Sequence, residues 1–357
     1  MTYLFRGNIA IVTLQGGMNY GNRLQNYAIA KIYERLGYRT ESLLRGDSIN
    51  LTSIVFDRIR RIIKVKNASN GFCSSWDRKA SFERFARHLT FRKTNEDDKK
   101  LSSEYDYFSV GSDQVWNLGR LSDRDSWFYL RFAHFNQRIA LAPSIGVSNL
   151  SYWQMKRLKK GVSGFGRLSV REQRGAELIK QCSGRDAEVI CDPTLMLSAG
   201  EWRSVSDNRL TPDRPYVFTY LLGGVGTEAA DVIKQVTDDG KIPIVPLSDR
   251  EKPEEPPAGP AEFISLVDNA QHVVTDSFHA AIFSCIFQTP LTIVHRENET
   301  NMFSRLESLA DMLDIQSKIY GSLTYDLSLA GNYRGVPESI ESEREKFMAY
   351  LKSCLNI

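Results

Sequence analysis

A chain of 357 residues that is 42% hydrophobic and 25% charged is longer than one core usually serves and too apolar for a disordered or low-complexity class. Its 46 Lys+Arg against 43 Asp+Glu leave a net charge of +3, too even to point to a nucleic-acid partner. Its five cysteines (Cys73, Cys182, Cys191, Cys285, Cys354) make no CxxC and no metal-ligand spacing. No apolar run approaches the roughly 20 residues of a membrane span, and the N-terminal run is too short for a secretion signal. The expectation is a protein with free thiols in the reducing cytoplasm.

In chain order, Asn8 to Leu14 (NIAIVTL) is a continuous apolar run before Gly16-Gly17, the pattern of a strand buried on both faces. Leu24, Tyr27, Ala28, Ile32 and Leu36 then recur at helical spacing over Arg23 to Leu36, and Gly37 closes the helix. Tyr38 to Leu44 reads as a second strand, so the opening is strand-helix-strand, parallel and right-handed. Residues 46–104 are less regular. The basic amphipathic DRIRRIIKVK (57–66) and the charge run RKTNEDDKK (92–100) read most simply as solvated surface. The sharper alternative for 57–66 is contact with an anionic or membrane surface.

Strands are predicted again at Tyr105–Val110, Gln137–Ala142, Leu168–Val170 and Ala187–Cys191, with helices at Tyr152–Lys160 and Gln173–Gln181. The second half repeats the alternation. Strands fall at Tyr216–Leu222, Lys241–Leu247, His272–Thr275 and Leu291–Val294, with helices after Gly226, at Glu262–Asn269, Phe278–Phe287 and Met302–Leu313. The Pro-rich KPEEPPAGPAE (252–262) predicts an exposed loop. Alternation in both halves predicts an α/β fold of two Rossmann-like parallel-sheet domains facing a cleft. The domains are expected at 1–200 (acceptor side) and 201–330 (donor side), with 331–357 a helix packing back on the first.

In open parallel sheets ligands bind beyond the carboxyl ends of the strands. After the first strand stand Gly16, Gly17, Asn19, Tyr20, Gly21, Asn22, Arg23 and Gln25. Glycines allow close backbone approach, and a helix start offers free N–H groups and a positive dipole end. An anionic or polyhydroxyl ligand suits this loop; a capped helix start after a glycine turn is the plainer reading. Neither GxGxxG nor a Walker pattern is present. Gly111, Ser112, Asp113, Gln114, Trp116 and Asn117 follow another strand. Asp113 suits holding or deprotonating a sugar hydroxyl. Trp116 suits stacking on a sugar face or filling the core. Ser144 and Gly146 follow the next strand. Arg171 ends another, which asks for an anion, either a ligand or a neighbour such as Asp113 or Glu172. In the second half, Asp276 or Ser277 is a good N-cap, and His279 lies in the first helical turn facing the cleft. A helix N-terminus favours neutral imidazole, so His279 is a candidate acid or base, against the alternative of a structural histidine. Arg305 begins a later helix as a further cation.

Six segments in order resemble the polysaccharide pyruvyl transferases: Asn19-Tyr20-Gly21-Asn22-Arg23-Leu24-Gln25-Asn26-Tyr27, Val110-Gly111-Ser112-Asp113-Gln114-Val115-Trp116-Asn117, Ser144-Ile145-Gly146, Ser169-Val170-Arg171-Glu172, Asp192-Pro193-Thr194-Leu195 and Asp276-Ser277-Phe278-His279. The likeness covers roughly residues 8 to 315. It implies a GT-B-like fold and transfer of the enolpyruvyl carbons of phosphoenolpyruvate to two hydroxyls of one sugar. It implies His279 as general acid and Arg171 as anion ligand, with Ser277, Phe278 and Arg305 on the donor side. The acceptor or anion cradle is expected from the loops named above, with Asp113 as hydroxyl contact or base. Relatives often carry Arg-Leu before the histidine; here Ser277-Phe278 stand there. A cation is missing at that point, and either Arg305 or Arg296 replaces it or the donor differs. No cofactor or metal is expected. The expected partners are phosphoenolpyruvate and a sugar or lipid-linked oligosaccharide acceptor, without nucleic acid, in the cytoplasm or at the inner face of a membrane. The rival readings are a GT-B glycosyltransferase using a nucleotide sugar and a non-catalytic glycan-binding paralogue.

Overall fold

The computed structural model describes residues 5–46, 75–95, 100–119, 125–249, 252–296 and 303–357. The basic stretch 57–66 and part of the 92–100 charge run lie outside them.

The first sheet contains β1 (Gly7–Val12), β2 (Tyr38–Arg45), β3 (Phe91–Thr94), β4 (Tyr107–Val110) and β5 (Arg138–Ala140). Its order is β3-β2-β1-β4-β5, all parallel. The apolar run in β1 has its explanation here: the strand is central, and Ile9 to Val12 are fully buried. Helix α1 (Tyr20–Arg35) carries the chain from β1 to β2, and α2 (Ser75–Ala86) precedes β3. Helices α3 (Tyr152–Val162) and α4 (Gln173–Ser183) flank a short parallel pair, β6 (Ser169–Val170) and β7 (Glu188–Val189).

The second sheet contains β8 (Val217–Tyr220), β9 (Ile244–Leu247), β10 (His272–Thr275) and β11 (Leu291–Ile293), in the order β11-β10-β8-β9, again all parallel. Between and after these strands come α5 (Thr227–Val236), α6 (Pro260–Asp268), α7 (Phe278–Phe287), α8 (Ser304–Leu313) and α9 (Val336–Leu355). Helix α7 is apolar apart from His279 and Ser284, and Phe278 through Cys285 are all buried, as such a helix requires. Among the described residues the fold is α/β, with two main parallel sheets and the short β6-β7 pair, and the carboxyl ends of β1 and β10 converge on one cleft.

The two halves share one hydrophobic core, which corrects two expectations. Tyr20 does not line a ligand cradle. It is fully buried, its ring stacks on Phe263 of α6 at a 4.8 Å centroid distance, and its hydroxyl donates to the Ala258 carbonyl at 2.9 Å. An aromatic ring with a polar tip is satisfied by this site on both counts. The Pro-rich loop is likewise not simply exposed. Arg78 of α2 donates to Glu255 at 2.9 Å, both side chains are buried, and Ser248 donates to Glu255 from its N–H (3.1 Å) and hydroxyl (2.6 Å). A buried charge must be paired, so this pair holds the loop against α2. At the other end of the chain, α9 lies against the first sheet. Tyr350 donates to the Ala140 carbonyl at 2.7 Å, and Arg344 to those of Leu195 (2.7 Å) and Leu197 (3.1 Å).

Candidate active site

Helix α1 starts where Asn19, in an extended conformation, accepts the Asn22 N–H at 3.0 Å. That cap places Gly21 in the first turn. Helix α7 starts after β10 with His279 in its first turn. The two helix starts meet there: a Cβ on Gly21 would overlap the His279 imidazole, so only glycine allows the approach. His279 is 7% exposed. Burial pulls its pKa below the ordinary value; Asp192 and Asp113 pull upward, and Arg171 and Arg305 push it further down.

Asp192 follows β7 and organises the cluster. One carboxylate oxygen accepts the Thr194 N–H (3.0 Å) and hydroxyl (2.7 Å). The other accepts Arg171 at 2.7 Å and the Ser112 hydroxyl at 3.0 Å, and stands 3.8 Å from His279 Nε2. Burial opposes its ionisation, but the charge of His279 and Arg171 and the Thr194 N–H outweigh burial and hold its pKa at about 2. In the sequence Asp192 stands out only as part of the Asp192-Pro193-Thr194-Leu195 motif. An Asp-Pro-Thr following a strand is the local signal, since the aspartate caps the turn it begins.

Arg171 is fully buried at the end of β6. Its firm partner is Asp192, not Asp113 (3.7 Å) or Glu172 (4.0 Å). The Phe278 ring covers the guanidinium at 4.2 Å, a cation–π contact that accounts for an aromatic residue at this position. Burial works against the Arg171 charge, and the three carboxylates more than restore it, so its pKa is raised. Nε and Nη2 of Arg171, Nε2 of His279 and Nε of Arg305 are buried with no hydrogen-bond partner. Arg305, near the start of α8, is held down to about 10 by burial and by Arg171, and remains cationic near neutral pH. Arg296 donates to Asp276 at 3.0 Å. Asp276 does not cap α7: its oxygens accept the Leu222 and Gly223 N–H groups at 2.7 and 2.8 Å, tying down the glycine loop after β8. Ser277 occupies the N-cap without a side-chain bond to α7.

Asp113 sits with φ at +61°, accepts the Gln114 N–H at 2.8 Å and faces Arg171. Gly111 has φ at +122°, and a Cβ there would overlap the Leu141 carbonyl. Other predicted contacts turn inward and bond among themselves. Trp116 is 1% exposed, donates to the Phe128 carbonyl at 3.0 Å and stacks on Tyr129, so it fills core and has no face for a sugar. Asn117 donates to Gln114 at 2.7 Å, and Gly146 packs beside Gln114. Ser144 Oγ and the Ile145 and Gly146 N–H groups all donate to Glu172, a role the sequence did not reveal. Gln25 donates to Thr13 at 2.7 Å and accepts the Ser112 N–H at 2.7 Å, joining the first two loops. Arg23 donates to Gln15 at 2.8 Å and to the Gly17 carbonyl at 3.4 Å.

Among the described residues no group of three His, Cys, Asp or Glu could hold a metal ion, and no helix is long and apolar enough to cross a membrane. No curated protein matches the chain. Among solved structures, a Listeria monocytogenes protein assigned as a UDP-N-acetylglucosamine 2-epimerase is 9% identical, covering 94% of this chain and 90% of that one, with a TM-score of 0.49. The Methanocaldococcus jannaschii UDP-GlcNAc 2-epimerase, solved with UDP-GlcNAc and UDP, is 12% identical over 94% and 92%, with a TM-score of 0.44. A family model described as polysaccharide pyruvyl transferase matches residues 19–297. That span runs from the cap of α1 to just past Arg296 and takes in Asp113, Arg171, Asp192 and His279. The chain belongs to the polysaccharide pyruvyl transferase family.

Proposed function

We propose that this transferase takes its carbons from phosphoenolpyruvate and joins them to two hydroxyls of one sugar as a cyclic ketal, releasing phosphate. The observation that carries this reading is the cluster in which a buried imidazole lies between two helix starts beside guanidinium N–H groups that nothing in the protein accepts. Phosphoenolpyruvate carries about three negative charges near neutral pH, and guanidinium edges and helix N-termini are its natural ligands. Arg171 offers Nε–H and Nη2–H, and Arg305 supplies the cation that Ser277-Phe278 lack. In this reading neither metal nor cofactor takes part, and phosphoenolpyruvate is the co-substrate.

Without ligand, burial holds the His279 pKa below its ordinary value. The donor's charge favours imidazolium, and Asp192 at 3.8 Å supports it. The imidazolium gives its proton to the methylene carbon, and C2 becomes electrophilic. One sugar hydroxyl adds to C2 and loses its proton. Phosphate then departs with the C–O bonding pair, the second hydroxyl closes the ring at C2, and its proton leaves. In this reading Asp113 orients or deprotonates an attacking hydroxyl. The test is incubation with phosphoenolpyruvate and candidate glycans, reading phosphate release and the mass gain of a pyruvyl ketal, in parallel with nucleotide sugars. Nucleotide release without phosphate release would make the protein a glycosyltransferase instead.

A further inference from the structure

A second cavity, of about 440 Å³, opens at the carboxyl ends of β1, β2 and β3. Gln15, Gly16, Asn22, Arg45, Lys93 and Trp127 are among its walls, and Arg171, His279 and Arg305 are not. It adjoins the cleft through α1, because Asn22 follows Gly21, which packs on His279. Two observations point to a ligand. Asn22 is 93% buried by its 7% exposure, and its Oδ1 has no hydrogen-bond partner; the Nε2 of Gln15 is also buried and unpartnered. A buried acceptor and a buried donor on one cavity wall are costly unless something bonds them, and a sugar hydroxyl does both. The rest of the lining combines buried aromatic surface (Trp127, Phe128) with two cationic side chains (Arg45, Lys93), and no carboxylate is among the described lining residues. Apolar walls with a few convergent polar groups are what a small-molecule site requires.

We propose that this cavity seats the acceptor, and that the acceptor sugar carries an oxyanion, held by Arg45 and Lys93 while Asn22 and Gln15 bond its hydroxyls. That the occupant is an acceptor rests on the pyruvyl-transfer reading; that the cavity binds an anionic sugar does not. A phosphate ester and a uronate share the required chemistry.

The test is calorimetric titration of the full chain with the 1-phosphates of glucose, galactose and mannose, with glucuronate, with the free hexoses and with inorganic phosphate. Phosphoenolpyruvate is titrated separately into the same samples. At least one sugar anion is expected to bind about tenfold or more tighter than its free hexose and than inorganic phosphate, as charge-assisted hydrogen bonds predict. Arg45→Gln with Lys93→Gln is expected to erase that preference. Gly16→Leu is expected to abolish sugar binding by filling the cavity. A Cβ at Gly16 meets nothing within 4 Å, and a thermal melt checks that the fold accepts the rest of the leucine side chain. Whether glucuronate or a 1-phosphate binds tighter identifies the oxyanion. Free hexoses binding as tightly as the anions, inorganic phosphate matching the esters, binding that survives Gly16→Leu, or no sugar anion binding at all overturns the proposal. If phosphoenolpyruvate alone fails to bind, the pyruvyl-transfer reading falls while the cavity assignment stands.

Discussion

The loop after β1 and the cluster around Asp192 both stand at carboxyl ends of parallel strands, and they differ in what they leave open: mainly neutral amide atoms in the loop, charged and titratable groups in the cluster. In the loop, Asn19 accepts the Asn22 N–H, Arg23 donates to Gln15, and Gln25 bonds Thr13 and Ser112, while Asn22 Oδ1, Gln15 Nε2 and Arg23 Nε stay open. In the cluster, Arg171, His279 and Arg305 keep buried donor positions that nothing in the protein fills. Buried polar groups are normally satisfied, so the unsatisfied ones mark where a ligand is expected. A polar loop is therefore weak evidence for binding until its internal bonds are counted.

Substitutions can break that contrast. The largest effect is expected from His279→Ala: turnover falls about 10²- to 10⁴-fold while the thermal melt is little changed. Undiminished phosphate release would remove His279 from the chemistry. Next comes Arg171→Ala, which leaves the carboxylate of Asp192 buried and unpaired. Denaturant titration should show a loss of about 3–5 kcal/mol. Adding Asp192→Asn should recover part of that stability but no activity.

The two buried histidines sharpen the comparison further. His272 bonds Thr292 at 2.9 Å, and burial, with the charge of Lys318, lowers its pKa to about 4. Its folded pKa lies below the unfolded value, so the native state binds fewer protons than the unfolded chain. Stability is then full above about pH 6.5 and declines as pH falls towards 4, by about 2 kcal/mol at pH 5. Denaturant titrations at pH 7.5 and 5 on the parent and on His272→Gln measure this, and the variant should lose less. His279 shifts in the same direction, but its contribution should respond to phosphoenolpyruvate, because the donor's charge favours the protonated form. The smallest effect belongs to Trp116→Phe. It removes the bond to the Phe128 carbonyl and should cost about 1 kcal/mol, with KM for the acceptor unchanged. A raised KM would return Trp116 to the sugar site.

Much of the fold was legible because burial leaves a direct trace in composition. The apolar run in β1 and the largely apolar α7 follow from being covered on every side. The six ordered motifs, Asp276-Ser277-Phe278-His279 among them, carry the family. What stayed hidden depends on partners far apart in the chain. Asp276 suits an N-cap locally, but its carboxylate is claimed by two amides at 222–223. The Pro-rich loop reads as exposed until Arg78 meets Glu255, 177 residues away. Trp116 and Tyr20 bear polar tips that suit a site or a core equally well.

The sequence alone determined two parallel α/β halves, the family, and the candidacy of His279 and Arg171, because strand periodicity and short motifs are written locally. Tertiary structure decided which polar atoms remain open, that Asp192 binds Arg171 and stands beside His279, and that Gly21 and His279 share one spot. A hydrogen bond between segments is settled by geometry in three dimensions, and no local pattern of residue types encodes it.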